Sequence, residues 1–534
     1  MRAVIRPHHS FSNTYQLTTG KHMTYLIRGK VALVIKVIFV TLIASILLLL
    51  AQSAFAQREY VISGFLAISV LLLALTYLSK ISIPLKFFIP GILLLTAFVV
   101  GPILYTVTMS GFNYKTGNII SKEEAIVQIK VRAIESAPSG LSFDVKLGRF
   151  EGKPAILASD INTPEYFIST QNDRIPLVAS SLTLNEFGVA VEAPNFTPLN
   201  ESEFATADKE FTGTRFAFDD QYFIALEGFE AGVVSQQVLE FIPEKDQFKN
   251  LLTGGIYADN GRGNYALVDD QSAILEPGWR APIWFENYVN IVTDSRVREP
   301  LIRVFIWTVA FAFLTVLTTF ALGLLLALAL NKPIRGRRIY RSILVLPYAM
   351  PSVMSILIWG GMFNTEFGAI NTLLGTDIAW FSDPNFARVA VILVNLWLGF
   401  PYFYLISSGS LQAIPSELME AAAIDGANPR QIFRKITLPL LLQILSPLLI
   451  ASFAFNFNNF NLIFLLTGGG PRNELDGEIA GATDILISYT YKIAFGSGTQ
   501  DLGLASAISL IIFILVASIS LYSLRKSKVL ETFA

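Results

Sequence analysis

Eight apolar runs divide this chain, each close to the twenty residues that a helix needs to cross a bilayer. Inside a bilayer, backbone polar groups are satisfied only in helices or closed barrels. Of the 534 residues, 53% are hydrophobic and only 15% are charged, which excludes an ordinary soluble domain. We therefore predict a mainly α-helical integral membrane protein with eight transmembrane helices, at residues 31–50, 61–78, 87–109, 301–330, 342–363, 387–408, 441–466 and 502–524.

A long hydrophilic segment, residues 110–286, separates the third run from the fourth. It holds 14 Lys and Arg against 26 Asp and Glu, a net charge of −12, whereas the rest of the chain is basic. Apolar and polar residues alternate over residues 141–147 at the period of a strand, and less regularly over residues 216–226. We predict a β-rich inserted domain here. The remaining divisions are then a tail at 1–30, three helices within 31–109 and a core of five helices at 287–534.

Basic residues mark one side of the membrane. They precede the first run, flank the second and third, and recur at residues 332–341, 430–435 and 525–528. With eight spans, all of these segments fall on the same side, which the positive-inside rule assigns to the cytoplasm. We expect both termini to be cytoplasmic and residues 110–286 to lie outside, in the periplasm of a bacterium with two membranes.

Polar and aromatic residues inside the apolar runs form three sets. They are Tyr348 with Ser352; Asn395 with Gly399 and Tyr402; and Phe455 with Asn456 and Asn459. At these spacings we expect each set to occupy one face of its helix. Amides donate to and accept from hydroxyl groups, and aromatic rings pack on apolar C–H faces, so the sets suit a sugar. Packing between transmembrane helices uses the same residue types and is the alternative for each residue taken alone.

Charged residues are nearly absent from the eight runs. No Asp or Glu occurs there, and Lys36, Arg303 and Arg388 each lie near an end of a run. Carriers driven by ions usually keep an intramembrane carboxylate, so a secondary carrier is disfavoured. The phosphate-binding pattern G-x-x-x-x-G-K-[ST] is missing, and the three histidines all lie within residues 1–30. We expect no ATPase site, no catalytic residue, no metal site and no cofactor bound by this chain.

Prolines and glycines predict where the helices bend and turn. Pro347, Pro351, Pro401 and Pro447 lie in or at the ends of the runs, where we expect them to break or kink helices. The sequence TGGGP at residues 467–471 predicts an outer turn rather than a phosphate site.

A polar stretch at residues 412–440 separates the sixth run from the seventh. Proline and an acid at residues 415–417 predict the start of a helix with a small apolar face. Gly426 permits a tight reversal, and we expect a second short helix over residues 431–436 that Pro439 ends. A small apolar face in such a loop suits docking of a partner.

This stretch resembles the EAA loop of ABC importer permeases. The family pattern is met by Glu420, Ala421, Ala422, Gly426, Ile436, Leu438 and Pro439. Residues 346–352, 395–402 and 453–460 look like the segments that line the sugar site of the maltose-type (MalF-type) permease subunit. The large insert between the third and fourth spans is similar to the insert of that subunit.

The resemblance implies a type I ABC permease core that imports maltose or maltodextrins across the inner membrane. It implies three partners: a second permease subunit of the MalG type, an ATPase dimer of the MalK type that uses ATP and Mg, and a periplasmic sugar-binding protein of the MalE type. Membrane lipids surround such a chain, and no nucleic acid is expected. Import of another oligosaccharide, a secondary sugar carrier and a transmembrane sensor are the alternatives.

The resemblance also implies roles for individual residues. The eight residues of the three sets, Tyr348, Ser352, Asn395, Gly399, Tyr402, Phe455, Asn456 and Asn459, would contact the sugar. Glu420, Ala421, Ala422, Gly426, Leu438 and Pro439 would couple the permease to the ATPase. Asn458 and Asn461 are expected to serve packing instead.

Overall fold

The computed structural model describes residues 29–526 apart from 80–82, 161–162, 201–202, 204–209, 212, 332–333, 473–477, 497 and 499. The tail expected in the cytoplasm, residues 1–30, lies outside the described residues except for its last two. The chain forms two compact units, one ending at Tyr105 and one beginning at Thr106.

Three long apolar helices begin the described chain. They are α1 (Lys30–Ala56), α2 (Tyr60–Leu78) and α3 (Ile83–Ser110). Leucine, isoleucine, valine and phenylalanine side chains are exposed around their circumference. A helix that is apolar on every side is stable within a bilayer, where such side chains face lipid. The first three predicted spans are therefore confirmed as helices of spanning length.

The second unit contains the remaining helices. Its long helices are α6 (Ser295–Ala329), α7 (Arg337–Ala349), α8 (Ser352–Met362), α10 (Pro384–Ala413), α12 (Pro429–Phe457) and α15 (Leu502–Lys526). The shorter ones are α4 (Lys122–Arg132), α5 (Glu286–Thr293), α9 (Ala369–Leu374), α11 (Ser416–Ile424), α13 (Phe460–Leu466) and α14 (Leu486–Phe495). Among described residues, seven helices are long and apolar enough to span a membrane, and the number is eight if the bent pair α7–α8 is counted as one span.

One predicted span is bent at its prolines. Helices α7 and α8 meet at 94°, with Met350 and Pro351 between them. Proline lacks the N–H that would continue the α7 ladder, so the chain restarts at Ser352. Tyr348 and Ser352 consequently lie on different helices, and the expectation that they share one helix face is wrong.

A second predicted span is interrupted just after Phe455 and Asn456. Helix α12 ends at Phe457, and α13 begins at Phe460. The backbone N–H of Leu462 donates to Asn459 Oδ1 at 3.4 Å, so Asn459 caps α13. The expectation that Asn459 shares one helical turn with Phe455 and Asn456 is therefore wrong. By contrast, α10 and α12 continue through Pro401 and Pro447.

Helix α12 also corrects the expected end of the polar loop. It runs without interruption over Pro429–Phe457, with a π-helical turn at Phe433–Thr437. The expectation that Pro439 ends a short helix is wrong. A π-helical turn just before the proline widens the ladder where its ring would otherwise meet the carbonyl of Lys435.

The insert is built on two antiparallel sheets. The larger has nine strands: seven follow the path β10-β11-β12-β3-β4-β5-β6, and two lie off it, with β2 paired to β12 and β9 paired to β3. Its strands are β2 (Ile134–Ser136), β3 (Ser142–Phe150), β4 (Lys153–Asp160), β5 (Glu165–Ser169), β6 (Arg174–Leu177), β9 (Phe196–Pro198), β10 (Phe216–Ala217), β11 (Phe223–Glu227) and β12 (Ala231–Gln237).

The smaller sheet has the order β13-β14-β15-β16, and two short pairs complete the insert. These strands are β13 (Leu239–Ile242), β14 (Gln247–Asn250), β15 (Ile256–Asp259), β16 (Tyr265–Leu267), β7 (Thr183–Leu184), β8 (Ala190–Glu192), β1 (Phe112–Asn113) and β17 (Ala281–Pro282). The predicted β-rich fold is confirmed.

Alternation in the sequence places the core of the larger sheet correctly from Phe143 onward, whereas Leu141, the first residue of the alternating set, precedes β3 and is 40% exposed. Phe143, Val145 and Leu147 are buried, as the strand period predicts, and they pack in one cluster with Phe167 and Ile224. A one-residue slip of β3 would move all three to the opposite face, so their burial fixes the register of that strand.

Both ends of the insert meet at its base. Strand β1 pairs with β17, and Asn287 Nδ2 donates to the carbonyl oxygens of Ser110 at 2.9 Å and Phe112 at 3.1 Å. The N–H of Leu502, at the start of α15, donates to the carbonyl of Tyr114 at 2.9 Å. These bonds join the insert to the helical core within the second unit.

Helices α6 and α10 cross closely at the centre of the core. A Cβ on Gly323 would lie 2.6 Å from the backbone nitrogen of Tyr404 and 2.7 Å from the carbonyl carbon of Phe403. Small residues permit such approaches between transmembrane helices. This crossing positions the polar face of α10 beside α6.

Candidate functional site

A cavity of about 640 Å³ lies among α6, α7, α8, α10, α12 and α13. All eight predicted site residues line it, although they come from broken as well as continuous helices. They are Tyr348, Ser352, Asn395, Gly399, Tyr402, Phe455, Asn456 and Asn459. The structure thus brings together residues more than one hundred positions apart in sequence, while their contact with a solute stays a prediction.

Two asparagine amides are bonded across the cavity wall. Asn395 Nδ2 on α10 donates to Asn456 Oδ1 on α12 at 2.6 Å, and both residues are 5% exposed. Asn456 Nδ2 in turn donates to the carbonyl oxygen of Ser452 at 2.8 Å. Each amide group is held at a fixed orientation, so the pair joins two helices and presents a pre-oriented polar surface.

Aromatic rings supply the apolar part of the lining. Phe455 is 70% exposed and Tyr348 is 59% exposed, although both sit on helices of the core. Tyr402 is half-buried, its ring packed edge-on against Phe403. Exposed rings beside fixed amides can pack on the C–H face of a ligand while the amides bond its hydroxyls.

The asparagines near the break between α12 and α13 differ in environment. Asn458 Nδ2 donates to the carbonyl of Ala454, four residues back on its own helix, at 3.3 Å. Asn461 is exposed and lines the cavity, so the expectation that it serves packing is wrong. The interruption after Phe457 turns Asn461 toward the cavity, and no continuous-helix period could have anticipated that.

Several lining residues escaped the sequence reasoning. Thr315 and Thr319 of α6, together with Ser452 of α12, line the cavity. A Cβ on Gly399 would lie 2.9 Å from Thr319 Cγ2, so glycine is needed here for helix packing. For Thr315 and Thr319, the only sequence signal for a place in the cavity lining was a hydroxyl residue within an apolar run. Which of them faces α10 depends on how the two helices cross.

The loop between α10 and α12 has the form that its sequence predicts at its start. Helix α11 begins at Ser416 after Pro415, with Glu417 in its first turn, and Gly426 adopts a φ of 84°. Asn428 and Gln431 then form reciprocal side chain–backbone hydrogen bonds of 2.9 Å that cap α12.

Most of the predicted coupling residues are exposed. Glu420, Ala421, Gly426 and Pro439 are exposed, and Ala422 and Leu438 are half-buried. Ile424 next to them is 87% exposed, which is unusual for isoleucine in a polar loop. An exposed surface with small and apolar residues is suited to a protein contact.

An ion pair that the sequence gave no sign of lies beyond α13. Lys492 Nζ on α14 is 2.6 Å from Asp484 Oδ2, and Asp484 is fully buried. Burial raises the pKa of the Asp484 carboxyl, although Lys492, the N–H of Gly481 and the hydroxyl of Ser488 all oppose that rise. Burial likewise lowers the pKa of Lys492.

The glycines of the TGGGP segment shape the turn beside this pair, as predicted. Gly468 and Gly469 have φ values of 59° and 81°. A Cβ on Gly469 would lie 1.9 Å from Asp484 Oδ1, so a side chain there would displace the pair. Among described residues, no group of His, Asp or Glu is arranged to hold a metal ion.

Comparison with known proteins gives one consistent result. Residues 319–527 match the family described as binding-protein-dependent transport system inner membrane component. The chain is 39% identical to the maltose/maltodextrin transport system permease protein MalF of Vibrio vulnificus (strain YJ016), covering 87% of this chain and 90% of the relative. It is 36% identical to the MalF protein of Salmonella typhimurium (strain LT2), covering 83% of this chain and 87% of the relative.

Among solved structures, a bacterial ABC transporter involved in import of the acidic polysaccharide alginate is similar at 21% identity. The match covers 46% of this chain and 84% of that chain, with a TM-score of 0.40. That score is too low to add to the assignment made from sequence identity.

Proposed function

This chain belongs to the MalF family of binding-protein-dependent transport system inner membrane components, and from that premise we propose that it is the permease subunit of an importer of maltose and maltodextrins. The cavity is where the sugar binds. A separate ATPase binds Mg²⁺ and hydrolyses ATP, and this chain transmits the conformational change of that ATPase to the sugar path.

The lining of the cavity is the single observation that carries the proposal. Its volume, about 640 Å³, falls in the usual range for small-molecule sites, roughly 300–1,000 Å³. Within the described chain, its lining contains amides, hydroxyls and aromatic rings but no Asp, Glu, Lys, Arg or His. A neutral polyhydroxylated ligand satisfies such a surface, whereas an ionic ligand would lack a counter-charge.

The partners follow from the family, and two of them from the coupling loop and the insert. A second permease subunit of the MalG type completes the path, and an ATPase dimer of the MalK type docks on Glu420, Ala421, Ala422, Gly426, Leu438 and Pro439. A binding protein of the MalE type delivers sugar on the side of residues 110–286. Both termini are cytoplasmic and the insert is periplasmic, in keeping with the basic segments at residues 335–341 and 430–435.

Loss of Phe455 or Asn456 tests the site. Phe455→Ala removes an exposed ring and should slow transport of every sugar several-fold at normal assembly. Asn456→Ala removes an amide from the cavity wall and leaves the buried amide of Asn395 without its partner, which should cost roughly 1–3 kcal/mol of binding free energy for the sugar. It should therefore cut transport strongly per assembled complex. Uptake of labelled maltose and a panel of oligosaccharides is measured per assembled complex in proteoliposomes.

Asn458→Ala is the matched control, because the Asn458 side chain donates to Ala454 on its own helix and Asn458 does not line the cavity. It should transport as the unaltered protein does. If Phe455→Ala and Asn456→Ala lower the yield of complex but leave transport per complex unchanged, these residues serve packing and the assigned site is wrong. Preference for another oligosaccharide across the panel would replace maltose as the solute.

A further inference from the structure

Helix α6 carries four threonines, and one of them leaves its hydroxyl without a partner. The hydroxyls of Thr308, Thr318 and Thr319 donate to the carbonyl oxygens four residues back on the same helix, at 2.7, 2.8 and 2.6 Å. This bond is the ordinary way in which threonine satisfies its hydroxyl in a helix. The Oγ1 atom of Thr315, by contrast, is buried and has no hydrogen-bond partner in the described structure.

A buried hydroxyl without a partner destabilises a protein. The group loses its hydrogen bonds to water and gains none in return. Native proteins hold few such groups, and a ligand is one of the partners that accounts for them. Thr315 is 1% exposed, and it is one of the residues that line the cavity. A solute in the cavity is therefore in a position to supply the acceptor that the protein does not.

The packing of α6 on α10 locates Thr315 within the cavity wall. Near the middle of the two helices, a Cβ on Gly399 would lie 2.9 Å from Thr319 Cγ2. Three turns earlier on both helices, the guanidinium carbon of Arg388 lies 5.0 Å from the centre of the Trp307 ring. The two helices consequently run in the same direction and stay in contact between these points.

Thr315 continues a row of polar groups across the wall. It lies one turn before Thr319, just as Asn395 lies one turn before Gly399, so Thr315 and Asn395 are neighbours. The Asn395 amide donates to Asn456 Oδ1 on α12 at 2.6 Å. The row therefore extends from α6 through α10 to α12, and Thr315 is its end on α6.

We infer that Thr315 belongs to the sugar site and that its hydroxyl donates to a hydroxyl oxygen of the transported sugar. This rests on the proposed function, which supplies a polyhydroxylated solute. Oγ1 is shielded from solvent, so the sugar meets it through a turn of the side chain about χ1. Threonine in a helix has two accessible rotamers, which makes such a turn inexpensive.

Thr315→Val should change stability and transport in opposite directions. Valine keeps the shape of the side chain and removes the hydroxyl. Because that hydroxyl has no partner within the protein, the detergent-purified complex should melt at the same temperature or higher. Uptake of labelled maltose per assembled complex in proteoliposomes should fall about fivefold, which corresponds to one ordinary hydrogen bond.

Thr308→Val is the matched control on the same helix. The Thr308 hydroxyl donates to the carbonyl of Val304 and accepts from the N–H of Leu486 at 3.0 Å. Thr308 lies outside the described lining of the cavity. Its replacement leaves the N–H of Leu486 without an acceptor, so the melting temperature should fall while uptake per assembled complex stays normal.

Thr315→Ser separates the hydroxyl from the shape of the side chain. It keeps the hydroxyl and loses the methyl group, and uptake should stay within about twofold of the unaltered complex. Uptake as low as in Thr315→Val would assign the effect to shape and overturn the inference. Unchanged uptake in Thr315→Val would do the same. So would a lower melting temperature in Thr315→Val, because the hydroxyl would then be bonded within the protein.

A set of maltoses that each lack one hydroxyl identifies the group that pairs with Thr315. The analogue without that hydroxyl should enter at nearly the same rate through the unaltered complex and through Thr315→Val, because the bond is absent in both. An equal reduction by Thr315→Val for every analogue would contradict a direct bond. If the unaltered complex took up no sugar at all, the proposed function would fall, and this inference with it.

Discussion

Asn395 and Asn456 pack two helices together and, in the proposed function, also bind the sugar. Their amide–amide bond of 2.6 Å joins α10 to α12 and fixes both groups at the cavity wall. An unpaired amide in an apolar helix would be costly, so the partner stabilises the fold. The same bond holds the remaining polar atoms at fixed positions, which would lower the entropy lost on binding of the proposed sugar.

Gly399 allows α10 to pack closely against α6. We expect Gly399→Ala to destabilise the protein by about 1–3 kcal/mol, because the new Cβ meets Thr319 Cγ2. Adding Thr319→Ser removes that methyl group and keeps the hydroxyl, so the double variant should recover most of the stability. Thermal unfolding of the complex in detergent measures both. Additive losses in the double variant would show that the two residues do not press on each other.

At the scale of elements, interruptions in the helices shape the cavity more than the regular helical segments do. The breaks at Met350–Pro351 and at Asn458–Asn459 free backbone and side-chain groups where the cavity forms. Irregular backbone at membrane depth is tolerated only where it lines a cavity or is buried in protein. The helix breaks are thus part of the site, and a straight helix would have turned Asn461 elsewhere.

The buried pair Asp484–Lys492 fixes α14 to the glycine turn. Lys492→Met leaves the Asp484 carboxylate buried without its cation, so we expect a loss of about 3–5 kcal/mol. Lys492→Met/Asp484→Asn removes both charges while the new amide can still accept from the N–H of Gly481, and should recover much of that loss. Denaturant unfolding monitored by tryptophan fluorescence compares them. A double variant no better than the single one would refute a dominant charge effect.

The insert should fold when residues 110–286 are expressed alone, because its ends pair in β1 and β17 and its sheets have cores of their own. Circular dichroism should show a cooperative melt at pH 7. A gradual, non-cooperative profile would show instead that the insert depends on the helical core.

Acid should weaken this insert through Asp246. Burial alone would raise the pKa of Asp246, but hydrogen bonds from Lys122 and Tyr265 bring it below its usual value. That stabilisation is present above the unfolded pKa, near 4, and is lost as pH falls through the folded pKa. Asp246→Asn should lower the melting temperature at pH 7 and flatten its decline below pH 4, whereas the exposed control Asp269→Asn should not. An unchanged acid slope in Asp246→Asn would assign the decline to other carboxylates.

For the whole molecule, α12 links the two proposed functional regions, the coupling loop and the cavity. It extends over 29 residues from the coupling loop to Phe455 and Asn456, a length of about 40 Å. A continuous helix transmits displacement with little loss. Movement of a partner at the loop would therefore reach the cavity wall directly, and the uninterrupted passage through Pro439 preserves that connection.

Gly426→Pro tests this transmission. Proline holds φ near −65°, whereas Gly426 requires a φ of 84°, so the reversal between α11 and α12 cannot form. We expect normal insertion but loss of sugar-stimulated ATPase activity in the reconstituted complex. Gly409→Ala is the matched control, because its added Cβ meets no atom within 4 Å. Normal stimulation in Gly426→Pro would exclude the loop as the coupling element.

Local periodicity accounts for what the sequence alone determined. Runs of apolar residues predicted the seven helices of spanning length and the bent pair α7–α8, alternation predicted the buried face of β3, and the residues around Gly426 predicted the reversal of the loop. Each of these signals depends on residues close together in the chain, because helix and strand geometry repeats over a few residues.

Only the tertiary structure decided which side chains meet. Thr319 opposes Gly399, and Asp484 pairs with Lys492, because helices cross or turn in ways that no local period encodes. The continuation of α12 through Pro439 and the exposure of Asn461 are likewise set by long-range packing. The choice among local conformations is made by the burial and pairing of distant groups, since these outweigh intrinsic preferences of well under 1 kcal/mol per residue for most residue types.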